Sequence, residues 1–177
     1  AALLRKETLH FKADTIVSDE GFLSLGGLQS HQASWKKSVF EVYQEASVDL
    51  DWTPILKETC KKAGIAFFTS PYDLELVDHV DPFVPAYKVG SGDITWNKII
   101  KHIASKNKPV MIASGASTMD DVNRAISSLL PINQDLVLMQ CNTNYTASLE
   151  NFRYIQLNVL KSFRMMYPDL IDRKTSC

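Results

Sequence analysis

Four short apolar runs, IAFFTS (65–70), AYKVGSG (86–92), PVMIASG (109–115) and LVLMQCNT (136–143), are separated by stretches whose apolar residues recur at helical spacing. Short uninterrupted strands that alternate with amphipathic helices belong to a parallel sheet buried on both faces, so the fold class is α/β. Trp52, Ile55, Leu56, Cys60 and Ala63 mark one helix, and Gly64 sits where a C-terminal cap belongs. The segment Ser70-Pro71-Tyr72-Asp73 reads as a helix start with Ser70 as cap, the helix running to about Val80. Trp96, Ile99, Ile100 and Ile103 share the face of a third helix. Ser117 with Asp120, and Thr118 with Asp121, cap a fourth that turns Val122, Ala125, Ile126 and Leu129 inward. A long helix is expected from about Glu150 to Met166, carrying Phe152, Ile155, Val159, Leu160 and Phe163.

Upstream of Trp52 the pattern changes. Thr8 to Ala13 reads as a strand, Ile16 to Trp35 as a long loop rich in Ser, Gly and Gln, and Lys37 to Glu45 as a short helix. A loop of that length in a compact domain is a candidate lid or oligomer contact.

An open doubly wound sheet and a closed barrel both satisfy this alternation. The polar residues favour the barrel. Four successive strands end in hydroxyl, amide or charged residues: Thr69 and Ser70; Lys88, Ser91 and Asp93; Ser114; and Asn142 to Tyr145. A barrel gathers such ends into one ring.

With 19 Lys and Arg against 20 Asp and Glu, the net charge of −1 offers no footprint for nucleic acid or an anionic membrane. A small-molecule partner is the expectation. Cys60, Cys141 and Cys177 are far apart and odd in number, which argues against a disulfide framework. No apolar run is long enough to span a membrane, and AALLRKETLHF lacks the layout of a signal peptide, so a cytoplasmic location is expected.

Lys88 is the first candidate for chemistry, because its neighbours Tyr87 and Val89 call for burial and an ammonium is rarely buried without a partner. An anion held with Ser70, Ser91 and Ser114 and the amides freed by Gly90, Gly92 and Gly115 would supply that partner. A lysine that snorkels to solvent, or one paired with Asp93, fits the spacing equally well. Asp93 reads as a general base, a ligand for a sugar hydroxyl or a helix cap. Thr143, Asn144 and Tyr145 suit a polyhydroxylated substrate, and equally an ordinary turn. His79 and His102 fall on helices at positions expected to face solvent. No His or Cys pair has metal-ligand spacing, and no GxSxG elbow is present.

The segments FFTSPYDLELVDHV, VPAYKVGSGDIT, KPVMIASGASTMDDVNRAI and LMQCNTNYTASLENFR, in that order, resemble the sialic acid (N-acetylneuraminate) synthase family. These enzymes condense phosphoenolpyruvate with an N-acetylated amino sugar such as N-acetylmannosamine and release phosphate. The resemblance covers about Lys12 to Asp169. It implies a TIM-type (β/α)8 barrel, here incomplete, with about five of the eight β/α units. Residues 1–177 would form a single partial barrel domain, without the antifreeze-like domain that follows in the family. It also implies that Lys88 and Ser91 hold phosphoenolpyruvate and that Ser70 keeps a hydroxyl in the family's STPF-like turn. By the same resemblance Asp93 faces the water and sugar, and Thr143 and Tyr145 contact the amino sugar. Lys6 loosely matches a second phosphate ligand. Ala113-Ser114-Gly115 stands where the family has STG, so Ser114 keeps one of two hydroxyls. A divalent metal, Mn2+ or Mg2+, is implied as cofactor, but the family's two ligand histidines have no counterpart, so no metal ligand is expected from this chain. The partners implied are phosphoenolpyruvate and the amino sugar, with a homo-oligomer possible. The alternative is a non-catalytic, truncated relative that binds an anion or associates through open barrel edges.

Overall fold

The structure, a computed structural model, describes residues 36–45, 47–143 and 149–171. The chain forms two compact units. The first holds the described residues up to Phe67 together with Pro71–Phe83, and the second holds Phe68–Ser70 with the chain from Val84 onward.

The first unit is helical. Helices α1 (Val39–Glu45), α2 (Trp52–Lys62) and α3 (Leu74–Val80) form as the periodicity predicts. Gly64 takes φ +69° just past α2, the left-handed conformation expected of a C-terminal cap. The start of α3 differs from expectation. Asp73, not Ser70, is its N-cap, and the Asp73 carboxylate accepts the Leu76 N–H at 2.6 Å. An aspartate in extended backbone directly before the first turn is a better-placed acceptor than a serine three residues earlier. The expected inner face of α2 is also not covered, since Trp52 and Ile55 are exposed and only Thr53 is buried. His79 is turned inward rather than to solvent: its ring lies 6.0 Å from that of Phe83, and its Nε2 is buried without a hydrogen bond.

The second unit is built on a three-stranded parallel sheet of β1 (Tyr87–Val89), β2 (Val110–Ala113) and β3 (Leu136–Met139), in the order β1-β2-β3. Tyr87, Val110 and Leu136 stand in one row, Lys88, Met111 and Val137 in the next, and Val89, Ile112 and Leu138 in the third. The crossovers are α4 (Asn97–Ala104) and α5 (Met119–Leu129). Both advance in the same direction across the sheet, so right-handed crossover places both helices on one face.

On that face, Ile99, Ile100, Ile103 and Ala104 of α4 and Val122, Ala125, Ile126 and Leu129 of α5 are buried with Tyr87, Val89, Val110 and Ile112. Each large apolar side chain enclosed here contributes about 1.5–3 kcal/mol. On the opposite face Lys88 and Met111 are half-buried and Val137 is 40% exposed.

Two strand and helix expectations are corrected. Of IAFFTS, only Thr69 pairs, as an isolated bridge to Tyr87 with Lys88 N–H donating to Thr69 O at 3.2 Å. Ile65 and Phe68 remain exposed, so the run has no packed layer to extend it into a strand. The long helix is broken into a 3₁₀ segment, Leu149–Tyr154, and α6 (Val159–Met166), followed by the short α7 (Pro168–Ile171). Helices draw most of their stability from burial of an apolar face. Here Phe152, Tyr154 and Leu157 face solvent, and Phe163 alone of the expected face is fully buried. The expected strand at Thr8 to Ala13 and the loop at Ile16 to Trp35 lie outside the described residues.

The start of α5 follows its sequence signature closely. Thr118 Oγ1 donates to the Asp121 carboxylate at 2.7 Å, Thr118 N–H does so at 3.0 Å, and Asp121 N–H returns a bond to Thr118 Oγ1 at 3.2 Å. The Thr118 hydroxyl and amide, with Arg124 adding to them, hold the Asp121 carboxyl below the usual aspartate range. A depressed pKa means that Asp121 contributes stability above the unfolded aspartate value of about 3.9, and that this is lost as pH falls through the folded value. A carbon-detected NMR titration should place the Asp121 midpoint below that of a free aspartate, and Thr118→Ala should return it toward 3.9. Equal midpoints in the two proteins would contradict the capping arrangement.

Candidate functional site

Parallel strands deliver their C-terminal ends to one edge of the sheet, and in the second unit this edge is where the polar residues gather. β1 leaves Val89 through Gly90 in extended backbone, and Ser91–Asp93 then close a 3₁₀ turn with Asp93 N–H on Gly90 O at 3.0 Å. The turn folds Asp93 back on the strand end, with one carboxylate oxygen 3.4 Å from where a Gly90 Cβ would stand. Asp93 is buried. The N-cap of α4 is Trp96 without a side-chain cap, so the helix-cap reading of Asp93 does not hold.

β2 ends at Ala113, and Ser114 and Gly115 continue it. Gly115 takes φ +54°. A Cβ there would lie 2.5 Å from Ser91 Cβ, 2.9 Å from Ser91 Oγ and 2.8 Å from Thr143 Cγ2. The chain after β1, the chain after β2 and the chain after β3 therefore meet at residue 115, and only a glycine lets them do so. A cleft of about 400 Å³ opens beside this point, lined by Ser91, Thr95, Ser117, Asp121 and Thr143 among others.

The anticipated residues fall into groups. Ser91 and Thr143 are brought together over Gly115. Lys88 lies three residues before Ser91 on the face of β1 turned away from α4 and α5, half-buried, and among the described residues no ion pair joins it to Asp93. Ser70 is buried at the end of the segment whose Thr69 bridges to β1. Ser114 is 2% exposed, and its hydroxyl lies 3.1 Å from Met139 O and 2.5 Å from Gln140 Oε1. Asn144, Tyr145 and Lys6 lie outside the described residues.

One contributor, Gln140, was not singled out from the sequence, and Thr69, read there only as a polar strand end, is placed more closely by the structure. Thr69 is 2% exposed and its Oγ1 is buried with no hydrogen-bond partner. Gln140 anchors Ser114, and the signal for it was an amide placed directly after the apolar run LVLM.

The metal can be tested against these residues. Among the described residues no group of three or more His, Cys, Asp or Glu is gathered as a metal ion would require. The described residues do not form such a site. Nor is any described helix long and apolar enough to cross a membrane.

The geometry at Gly115 gives a paired prediction. Gly115→Ala adds a methyl into Ser91 and Thr143 at a left-handed φ, and should cost roughly 2–4 kcal/mol in urea unfolding. Gly64→Ala meets no atom within 4 Å and carries only the strain of its φ, so roughly 1 kcal/mol is expected. Equal losses would mean that the strand ends do not press on residue 115.

The chain is 30% identical over 126 residues to a pseudaminic acid synthase of Helicobacter pylori, covering 69% of this chain and 36% of that protein. It is 26% identical over 170 residues to the human N-acetylneuraminate-9-phosphate synthase, covering 96% of this chain and 45% of the relative. Among solved structures, an N-acetylneuraminic acid (sialic acid) synthetase of Leptospira borgpetersenii superposes with a TM-score of 0.68 at 19% identity, over 77% of this chain and 47% of that one. That likeness bears on the fold. The chain spans less than half the length of these relatives. The model of the NeuB family matches residues 9–171, nearly the whole sequence, and the chain belongs to that family.

Proposed function

We propose that the strand-end site of this chain binds phosphoenolpyruvate and takes part in its condensation with an N-acetylated amino sugar, releasing phosphate. The observation that carries the reading is the meeting of Ser91 and Thr143 over Gly115, at the end of the strand that bears Lys88. In this reading the three-stranded sheet is part of a (β/α)8 barrel, whose strands follow one another in the sequential order that β1-β2-β3 has.

Phosphoenolpyruvate carries a phosphate and a carboxylate. The Lys88 ammonium supplies charge to one of them, and the hydroxyls of Ser70, Ser91 and Thr143 supply donors. The enol C3 of phosphoenolpyruvate forms a bond to the aldehyde carbon of the open-chain sugar as the aldehyde C=O π bond opens and its oxygen takes up a proton; water adds at C2, and the C2–O bond to phosphate breaks as the added water gives up its protons, leaving a ketone at C2. In this reading Asp93, buried beside the turn, takes the proton from that water. Asn144 and Tyr145 are assigned to the amino sugar. A divalent metal, if the reaction uses one, would draw ligands from outside the described residues, and no step above depends on it. The pseudaminic acid and N-acetylneuraminate-9-phosphate synthases among the relatives support the substrate class without ranking the sugars.

A second reading is favoured by a separate observation. Val137, Leu149, Phe152 and Met165 of the second unit are strongly exposed, and β3 has no further strand on its outer edge among the described residues. Surfaces of this kind associate with other polypeptide. The chain would then bind the anion without turning it over.

Calorimetric titration with phosphoenolpyruvate separates the readings when combined with a phosphate-release assay containing N-acetylmannosamine and Mn2+. Lys88→Ala should weaken phosphoenolpyruvate binding roughly 10- to 100-fold, the range for a charge-assisted hydrogen bond. Binding without phosphate release, together with a solution mass well above 19.9 kDa, would favour the second reading. Wild-type binding no tighter than that of Lys88→Ala would sink both.

A further inference from the structure

We infer that Gln140 is a positioning residue acting through Ser114, and that Ser114 ties the strand ends together without donating to the bound anion; this rests on the anion site proposed above. The argument is a count of protons. A serine hydroxyl has one proton to donate. Ser114 Oγ has two acceptors within reach, Met139 O at 3.1 Å and Gln140 Oε1 at 2.5 Å. Met139 O also accepts the Ser114 N–H at 2.8 Å, and the shorter contact makes Gln140 Oε1 the better partner for the hydroxyl. The amide orientation of Gln140 is fixed at its other end, where Nε2 donates to Cys141 O at 3.3 Å. Reversing the amide would set Oε1 against that carbonyl, two acceptors with no proton between them. Even then Gln140 would donate to Ser114, and the serine proton would go to Met139 O. In both orientations the proton is used inside the fold.

A hydroxyl so committed can offer a phosphate or carboxylate only a lone pair, which repels it. At 2% exposure Ser114 also has almost no surface to offer. Its role follows from its neighbours. The bonds to Met139 and Gln140 continue the β2–β3 pairing beyond its last register pair, Ala113 with Met139. The next residue is Gly115, on which Ser91 and Thr143 converge. Gln140 thus sets where the true donors stand, without touching the anion itself.

The test is a double-mutant cycle in the full chain with Ser114→Ala, Gln140→Leu and the pair, read in two ways. In urea unfolding without ligand, each single change should lower the folding equilibrium constant by roughly tenfold and the pair should lower it no further. In titration with phosphoenolpyruvate, both singles and the pair should weaken binding by one common factor, while Ser91→Ala adds its own loss to each. Ser114→Thr, which keeps the hydroxyl, should restore both readings. If Ser114→Ala weakens binding further in the Gln140→Leu background, Ser114 donates to the anion and the inference is overturned. Additive losses in urea overturn it as well. A wild-type chain that binds no phosphoenolpyruvate removes the proposed function, but the urea cycle still decides the tie. So do the amide resonances of Ser91, Gly115 and Thr143, which should shift alike in the two single variants. Resonances that stay in place would overturn the inference.

Discussion

The site depends on one close approach. Around Gly115 the chain segments that follow β1, β2 and β3 come so near that a single methyl group would overlap Ser91 and Thr143. Parallel pairing makes this possible, because it sends every strand end to the same edge. Pairing alone would leave the ends a full strand spacing apart, about 4.8 Å between neighbours. The left-handed turn at Gly115 brings the chains after β1 and β3 in over β2. The β2–β3 pair beneath is fastened at both ends by side chains. Asn133 donates to Lys108 O at 2.8 Å and accepts from Asp135 N–H at 2.8 Å near the start of the strands, and Ser114 with Gln140 closes the far end. A framework held in this way can keep hydroxyls in fixed positions, which an anion site needs if binding is not to be offset by ordering its ligands.

The two faces of the sheet divide the work between stability and chemistry. Both crossover helices cover the face that carries Tyr87, Val89, Val110 and Ile112, and the side chains there are almost fully buried. Lys88 belongs to the other row, with Met111 and Val137 as its register partners. A lysine on the helix-covered face would be enclosed among isoleucines, where an unpaired ammonium is prohibitively costly. On the row it occupies, its stem lies beside apolar neighbours and its charge keeps access to a ligand. The sequence pattern Tyr-Lys-Val is therefore ordinary strand alternation, apolar in toward the helices and charged away from them.

The sequence was most informative where local and tertiary demands agree. Both crossover helices had a periodic apolar face, and α5 also had a complete capping signature, so pattern and packing pointed to the same residues. Expectations failed where an apolar run had no layer to pack against. IAFFTS has the composition of a strand, yet only Thr69 reaches the sheet, and the helix expected from Glu150 breaks where Phe152, Tyr154 and Leu157 stand in solvent. Strand and helix patterns report what a segment can bury, not whether something is there to bury it. The site was read in a similar way. Lys88, Ser91 and Thr143 follow from polar residues at strand ends, whereas the tie between Ser114 and Gln140 depends on which way two side chains turn. Spacing does not encode that, so a hydroxyl that faces inward looked like one that faces a ligand.

Under the two readings proposed above, association and binding would be linked through the row that carries Lys88. Met111, beside Lys88, is half-buried, Val137 at the far end of the same row is 40% exposed, and Phe152 and Leu149 add more apolar surface to the same unit. Polypeptide that covered the row would remove water from around the lysine. Coulomb attraction between an ammonium and a bound anion grows as the effective dielectric falls, from about 1 kcal/mol in water toward about 4 kcal/mol at an effective value of 20 for charges 4 Å apart. The same covering would make the empty site less favourable, because the ammonium would lose hydration with nothing in exchange. Anion binding and coverage of this face would then reinforce each other, each favouring the state in which the other is present.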